Sequence, residues 1–114
     1  MNSDFILLNK TYQTIEFINK ILENFPKKEV SVKSYLEKVM FDMLECLFSF
    51  NINESKKIRE KYIKDYLVKL SMVNYFMHIS FHKKCITYKQ SEQIAKYLLD
   101  LKKIGVTILK GISE

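Results

Sequence analysis

The chain has 114 residues, of which 47% are hydrophobic, with a formal net charge of +6 and only two glycines and one proline. This length suits a single domain with one small core, and so few turn-forming residues exclude a many-stranded sheet in favour of a few long helices. We therefore expect one all-α domain spanning residues 1–114.

The first predicted helix covers residues 4–25. Its apolar residues recur at steps of three and four, as one face of an amphipathic helix requires, and Ser3 or Asp4 can cap its start. The expected core face consists of Phe5, Leu8, Tyr12, Ile15, Ile18 and Leu22. Because Pro26 lacks an amide donor and disfavours helical backbone at Phe25, the helix is expected to stop there, with residues 27–31 forming the turn.

The second predicted helix covers residues 31–50. Its expected core face consists of Val32, Tyr35, Leu36, Val39, Met40, Met43, Leu47 and Phe50. A capping box between Ser34 and Glu37 is possible if the helix starts later. A second apolar stripe, roughly opposite the first, contains Phe41, Leu44 and Phe48.

The third predicted helix covers residues 54–82, after a short break at residues 51–53, with Asn53 or Ser55 as its cap. Its expected core face consists of Ile63, Tyr66, Leu70, Val73, Met77 and Phe81. Its outer side changes character along the helix. The early part of that side carries Lys57, Lys61 and Lys64, and the later part carries Val68, Met72, Tyr75 and Ile79.

The fourth predicted helix covers residues 88–112, and Thr87 with Gln90 predicts a capping box at its start. Its apolar face consists of Ile94, Tyr97, Leu98, Leu101, Ile104, Ile108 and Ile112. Four helices with short connections predict antiparallel neighbours, and hence an up-down-up-down four-helix bundle.

The second apolar stripes leave two interpretations open. Either the third helix lies deep inside the monomer, or the stripes form an interface between copies of the chain, because monomers rarely leave so large an apolar patch in water. The predicted interface residues are Phe41, Leu44, Phe48, Val68, Met72, Tyr75 and Ile79.

The positive charge is concentrated in one segment, since residues 51–84 carry eight Lys or Arg against three acidic residues. Such a surface can contact phosphates with little sequence readout. The predicted nucleic-acid-binding residues are Lys56, Lys57, Arg59, Lys61, Lys64, Lys69, Lys83 and Lys84. The alternative, equally compatible with charge alone, is an ordinary solvated face partly neutralised by Glu60 and Asp65.

Catalytic and metal-binding patterns are weak in this sequence. His78 and His82 share a helix face, but no acidic residue or cysteine stands at a supporting position, so we expect no metal site. We find no candidate set of catalytic residues, and expect neither an enzyme nor a cofactor. A nuclease of the helical-bundle type that uses His78 or His82 is a remaining rival.

The expected location is the cytoplasm. The longest uncharged stretch, residues 70–82, is too short to cross a bilayer, and the start lacks the basic leader of a signal peptide. The two cysteines, Cys46 and Cys85, are too few for a disulfide framework.

The order of segments also resembles a known family. It runs FPKKE (25–29), VSVKSYLEKVMFDMLECLFSFN (30–51), a basic helix, and YLLDLKKIGVTILKGI (97–112). This arrangement is similar to the accessory variability determinants of diversity-generating retroelements, whose superfamily includes proteins encoded by intervening sequences in ribosomal RNA genes. FSFNINES lacks the Ala-Glu-Gly end of the second branch. After Ile104 and Gly105 the chain also lacks the Gly pair and Trp of the first branch.

The resemblance implies a homopentameric barrel of bundles that is basic outside, binds RNA or DNA and docks a reverse transcriptase. The sequence thus predicts a non-enzymatic accessory protein of a diversity-generating retroelement. The rival of a different class is a purely structural assembly module, related to the intervening-sequence proteins, whose basic surface has no specific nucleic-acid role.

Overall fold

Residues 3–113 are described by the computed structural model, in which four helices account for nearly the whole chain. The helices are α1 (Ser3–Leu22), α2 (Val30–Ile52), α3 (Lys56–His82) and α4 (Tyr88–Ser113), with a single 3₁₀ turn at Lys27–Glu29. The helix α1 packs against α2 and α4, and α3 packs against α2 and α4, in a bundle of 44 × 23 × 20 Å. The predicted all-α four-helix bundle with antiparallel neighbours is confirmed. No helix in the described range has a stretch both long and apolar enough to cross a membrane.

The connection between α1 and α2 differs from the prediction. The helix α1 ends at Leu22, and the amides of Asn24 and Phe25 bond to carbonyls only three residues back, at 3.1 Å each. Pro26 lies beyond this tight turn with φ −57° and ψ 142°, and the 3₁₀ turn follows it. The helix therefore ends three residues before the predicted position at Phe25, because its last turn has already tightened before Pro26 is reached.

Two of the predicted helix caps form. Ser55 caps α3, since its hydroxyl accepts a bond from the Ile58 amide at 3.4 Å. The Thr87 and Gln90 capping box is confirmed by two reciprocal bonds of 2.9 and 3.0 Å.

The other two predicted caps are not made. Ser34 lies inside α2, which begins at Val30 and ends at Ile52, so no box forms with Glu37. Asp4 lies within α1 and pairs with Arg59 instead of capping, and the side chain of Ser3 lies outside the described part of the structure.

The core face of α1 is rotated relative to the prediction. Phe5 and Tyr12 are exposed, whereas two threonines, Thr11 and Thr14, are buried. The buried residues of α1 are Leu7, Thr11, Thr14, Ile18, Ile21 and Leu22. The reason lies in α3, because the fully buried Tyr66 brings its hydroxyl to within 2.7 Å of Thr11 Oγ1. A polar side chain is needed on α1 at that depth.

The core faces of the other three helices agree with the prediction in most positions. Buried residues are Leu36, Val39, Met40, Met43, Leu47 and Phe50 on α2; Ile63, Tyr66, Leu70, Val73 and Met77 on α3; and Ile94, Leu98, Leu101 and Ile108 on α4. Tyr35 is exposed and stacks on Phe76 at 4.5 Å, while Phe81 is only partly buried. A Cβ added at Gly105 would lie 2.9 Å from Leu67 Cδ2, so α3 and α4 approach closely there.

Candidate nucleic-acid interface

The beginning of α3 presents lysines to solvent in two different states. Lys56 and Lys57 are exposed, and no acidic partner lies within ion-pair distance among residues 3–113. Lys61 pairs with Asp65 at 3.1 Å, which raises the pKa of this lysine through the hydrogen bond to that carboxylate. Lys64 pairs with Glu60 at 2.9 Å. Such exposed pairs within one helix contribute little to stability, so both lysines stay available to a phosphate.

Arg59 is bound inside the bundle end rather than presented outward. Its guanidinium pairs with Asp4 at 2.7 Å and donates to the carbonyls of Phe50 at 2.6 Å and Asn53 at 3.2 Å. It also lies 3.8 Å from the centroid of the Phe50 ring. This arrangement joins the start of α1 to the connection between α2 and α3. Its geometry disfavours the predicted phosphate contact.

The remaining predicted contacts lie away from the beginning of α3. Lys69 is 3.8 Å from Asp42, and Lys83 pairs with Glu29 at 3.1 Å at the opposite end of the bundle. Lys84 is exposed and adopts a left-handed backbone with φ 63° directly after α3. The predicted set is therefore spread over the beginning, the middle and the end of α3 rather than gathered in one patch.

The helix α4 adds basic residues that the sequence analysis did not include. Its exposed lysines are Lys89, Lys96, Lys102, Lys103 and Lys110. Gly105 packs on Leu67, so the later part of α4 runs antiparallel beside the beginning of α3. Along the bundle axis, Lys110 therefore lies about level with Lys61, and Lys103 lies about level with Lys69. A signal was present in the sequence, because residues 85–114 contain five lysines against three acidic residues.

The second apolar stripes are exposed in the monomer. Phe41 is 69% exposed, Phe48 46%, Val68 60% and Tyr75 56%, whereas Leu44, Met72 and Ile79 are partly buried. The monomer's own helices leave Phe41, Phe48, Val68 and Tyr75 uncovered. This excludes deep burial of α3 as their explanation and leaves the predicted subunit interface untested.

The two histidines contact each other rather than a third ligand. The Nε2 atoms of His78 and His82 lie 3.0 Å apart, so one ring donates a hydrogen bond to the other. Residues 3–113 contain no cluster of three or more His, Cys, Asp or Glu side chains that could hold a metal ion. Both cysteines are free. Burial, followed by the nearby Asp65 carboxylate, raises the pKa of the Cys46 thiol and so disfavours the reactive thiolate.

Comparisons with known proteins give the fold and no family. No protein-family model matches the chain, and no curated protein matches it. A crystal structure of a protein with unknown function from the S23 ribosomal protein family of Bacteroides thetaiotaomicron is similar, with a TM-score of 0.85 and 16% sequence identity. The similarity covers 96% of this chain and 99% of that chain. The chain thus has the four-helix fold of that S23-family protein, and a shared fold does not carry a function with it.

Proposed function

We propose that this chain is a non-enzymatic accessory protein of a diversity-generating retroelement. In this proposal it self-associates, binds RNA or DNA through phosphates, and accompanies a reverse transcriptase in the cytoplasm. The observation that carries the nucleic-acid part is the set of lysines on neighbouring parts of α3 and α4 that have no acidic partner among the described residues. These are Lys56, Lys57, Lys102, Lys103 and Lys110.

Exposed lysines of this kind favour polyanion binding on simple electrostatic grounds. Each lysine that neutralises a phosphate releases condensed counterions, so binding is salt-dependent and largely independent of base sequence. The link to a reverse transcriptase rests on the resemblance of the FPKKE and YLLDLKKIGVTILKGI segments alone.

Self-association is supported by the exposed aromatic and aliphatic residues. Phe41 and Phe48 lie one heptad apart on α2, and Val68 and Tyr75 lie one heptad apart on α3. An apolar stripe on each of two helices is more than a monomer usually leaves in water. The pentameric state is what the family resemblance implies, and a ring of copies would cover both stripes.

A second candidate, the structural assembly module, is favoured by the ion pairs of α3. Lys61, Lys64 and Lys69 each lie within 3.8 Å of a carboxylate, at 3.1, 2.9 and 3.8 Å, which is how a solvated helix face neutralises itself. In that case the lysines only keep the assembly in solution.

Titration with labelled RNA and DNA, single-stranded and double-stranded, at two salt concentrations separates the two candidates. Affinity that falls as salt rises supports nucleic-acid binding, and no binding at low salt leaves only the structural module. Cleavage of the RNA during the titration, abolished by His78→Ala or His82→Ala, would show a nuclease and refute the non-enzymatic proposal. The reverse-transcriptase link is tested by searching the gene's neighbours for a reverse transcriptase and, where one is found, by its co-purification with this chain; the absence of such a gene would refute the link.

The predicted interface has its own experiment. Phe48→Glu or Tyr75→Glu should lower the assembled mass in native mass spectrometry while circular dichroism keeps its helical signal, because a buried, unpaired carboxylate opposes association. Glu introduced at Gln13, an exposed position on α1 outside these stripes, is the matched control. Full assembly of both stripe variants would show that these residues are not the interface.

A further inference from the structure

The outer face of α4 carries a regular row of lysines. Lys89, Lys96, Lys103 and Lys110 follow one another at intervals of seven residues, and all four are exposed. Seven residues are close to two helical turns, so the row drifts only about 20° around the helix per interval. With a rise of about 1.5 Å per residue, it extends roughly 31 Å along the molecule.

Most lysines of this row have no acidic partner among the described residues. In the described part of the chain, Lys89, Lys103 and Lys110 have no carboxylate within ion-pair distance, and Lys96 lies 3.9 Å from Glu92 in an exposed pair of little strength. Asp100, which lies between Lys96 and Lys103 on the same helix, is bound by Lys10 of α1 at 2.9 Å. The row is thus less neutralised than the beginning of α3, where Lys61 and Lys64 pair at 3.1 and 2.9 Å.

An aromatic groove runs beside the row, between α1 and α4. It has a volume of about 570 Å³ and is bordered by Lys96 and Lys103. Its remaining lining residues are Phe17, Gln93, Tyr97, Leu99 and Asp100. The Phe17 and Tyr97 rings lie 5.0 Å apart at an angle of 33°, and both are only partly buried, so ring surface faces the groove.

We infer that this face of α4 is a binding site for single-stranded nucleic acid. The phosphates follow the lysine row, and unstacked bases enter the groove against Tyr97 and Phe17. A cationic track next to aromatic rings is the combination by which proteins bind single strands without sequence preference, with sites of about 4–16 nucleotides. A duplex keeps its bases stacked inside and cannot use the groove. This inference rests on the proposed nucleic-acid binding and specifies its location and ligand.

Three variants, each lacking three lysines, locate the contact. Lys96, Lys103 and Lys110 are replaced by Gln in the first, and Lys57, Lys61 and Lys64 in the second. The third, with Lys27, Lys28 and Lys38 replaced by Gln, is a control of equal charge on the 3₁₀ turn and α2. The probes are fluorescent oligothymidylate and oligouridylate of about 5–20 nucleotides, and a duplex of matched length.

The α4 variant should lose the most salt dependence. With about 0.7 counterions released per phosphate of a single strand, three lost contacts lower the salt slope by about 2. A fourfold rise in salt then weakens its binding roughly 15-fold less than it weakens the wild type. The control variant should keep a slope close to that of the wild type, and the α3 variant should lose less of its slope than the α4 variant.

Tyr97 tests the groove separately from the charge. The chain has no tryptophan, so Tyr97→Trp provides a single fluorescent reporter, which a stacked base should quench. Tyr97→Leu keeps an apolar side chain but removes the ring, and should weaken single-strand binding about fivefold or more. Tyr12→Leu, on α1 and outside the groove, is the matched control and should leave binding unchanged.

The outcomes separate this inference from the proposed function. No binding by the wild-type protein refutes both. Binding that is lost in the α3 variant but kept in the α4 variant, or a preference for the duplex, overturns the α4 site and leaves nucleic-acid binding standing. An unquenched reporter together with unaltered binding by Tyr97→Leu also overturns it.

Discussion

The buried hydroxyl pair between α1 and α3 allows a quantitative test of the bundle core. Tyr66 is fully buried, and its hydroxyl oxygen lies 2.7 Å from Thr11 Oγ1. The Thr11 hydroxyl donates its own proton to the Leu7 carbonyl at 2.7 Å, so Tyr66 must be the donor in the pair. Thr11→Val removes that acceptor with almost no change in side-chain shape.

The two single substitutions should have unequal costs. Among the described residues no buried side-chain nitrogen or oxygen lacks a partner, and Thr11→Val would create one at the Tyr66 hydroxyl. The expected loss is about 1–3 kcal/mol of unfolding free energy, the cost of an unsatisfied buried donor. Tyr66→Phe removes the donor itself and leaves Thr11 bonded to Leu7, so its expected cost is about 0.5–1.5 kcal/mol.

The double variant Thr11→Val with Tyr66→Phe completes the cycle. Both partners are then apolar, so the total cost should fall below the sum of the single costs by about 1 kcal/mol. Urea unfolding followed by far-UV circular dichroism measures all four proteins. Thr107→Val is the matched control, because the Thr107 hydroxyl bonds to its own helix at 2.9 Å but is exposed.

Two results would refute this reasoning. If Thr11→Val costs no more than Thr107→Val, the hydroxyl pair is not buried in the way the structure places it. If the two core substitutions are additive, the side chains do not interact. In either case α1 would have to be packed in a different rotation against α3.

Three further predictions concern alkaline stability, the end of the bundle and the end of α3. Burial raises the pKa of the Tyr66 phenol above its ordinary value of 10.0, so the folded protein keeps a proton that the unfolded chain releases. The contribution of Tyr66 to the free energy of unfolding is therefore complete below about pH 10 and falls above it, by up to about 1.4 kcal/mol per pH unit. Unfolding measured at several pH values should show a shallower fall for Tyr66→Phe than for the wild type. Arg59→Ala should lower the free energy of unfolding by about 1–3 kcal/mol, because it leaves Asp4 and two carbonyls without their partner, and should leave oligonucleotide affinity nearly unchanged. Lys57→Ala, the control, should lower the free energy of unfolding by less than about 0.5 kcal/mol. Equal losses would contradict the structural role of Arg59. Lys84→Gly should raise the free energy of unfolding by about 0.5–1 kcal/mol, because Lys84 has φ 63° at a position where glycine is unstrained. An unchanged urea midpoint would contradict that strain.

Periodicity predicted most of the core because apolar side chains on α2, α3 and α4 lie where a helix of 3.6 residues per turn requires them. It failed on α1, where Phe5 and Tyr12 looked like core and Thr11 and Thr14 did not. A periodicity analysis counts threonine as polar. The burial of Thr11 depends on its contact with Tyr66, which is 55 residues away in the sequence. That contact has no local signal.

The candidate site shows the same division. The lysines of α3 could be found by counting charge along the chain, but ion pairing decides how available each one is. Arg59 looked like its neighbours in sequence, yet the folded chain surrounds it with Asp4 and two carbonyls. The excess of lysines on α4 was visible in the sequence, but only the packing of α4 on α1 places Lys96 and Lys103 beside an aromatic groove.

The sequence by itself determined the helices, their number and their antiparallel order, because helix formation and capping depend on residues within a few positions of one another. Only the tertiary structure decided how far α1 rotates about its axis, which apolar residues remain uncovered, and that Arg59, Lys69 and Lys83 meet carboxylates of other elements. Those properties depend on side chains that are distant in sequence and meet only when the helices pack.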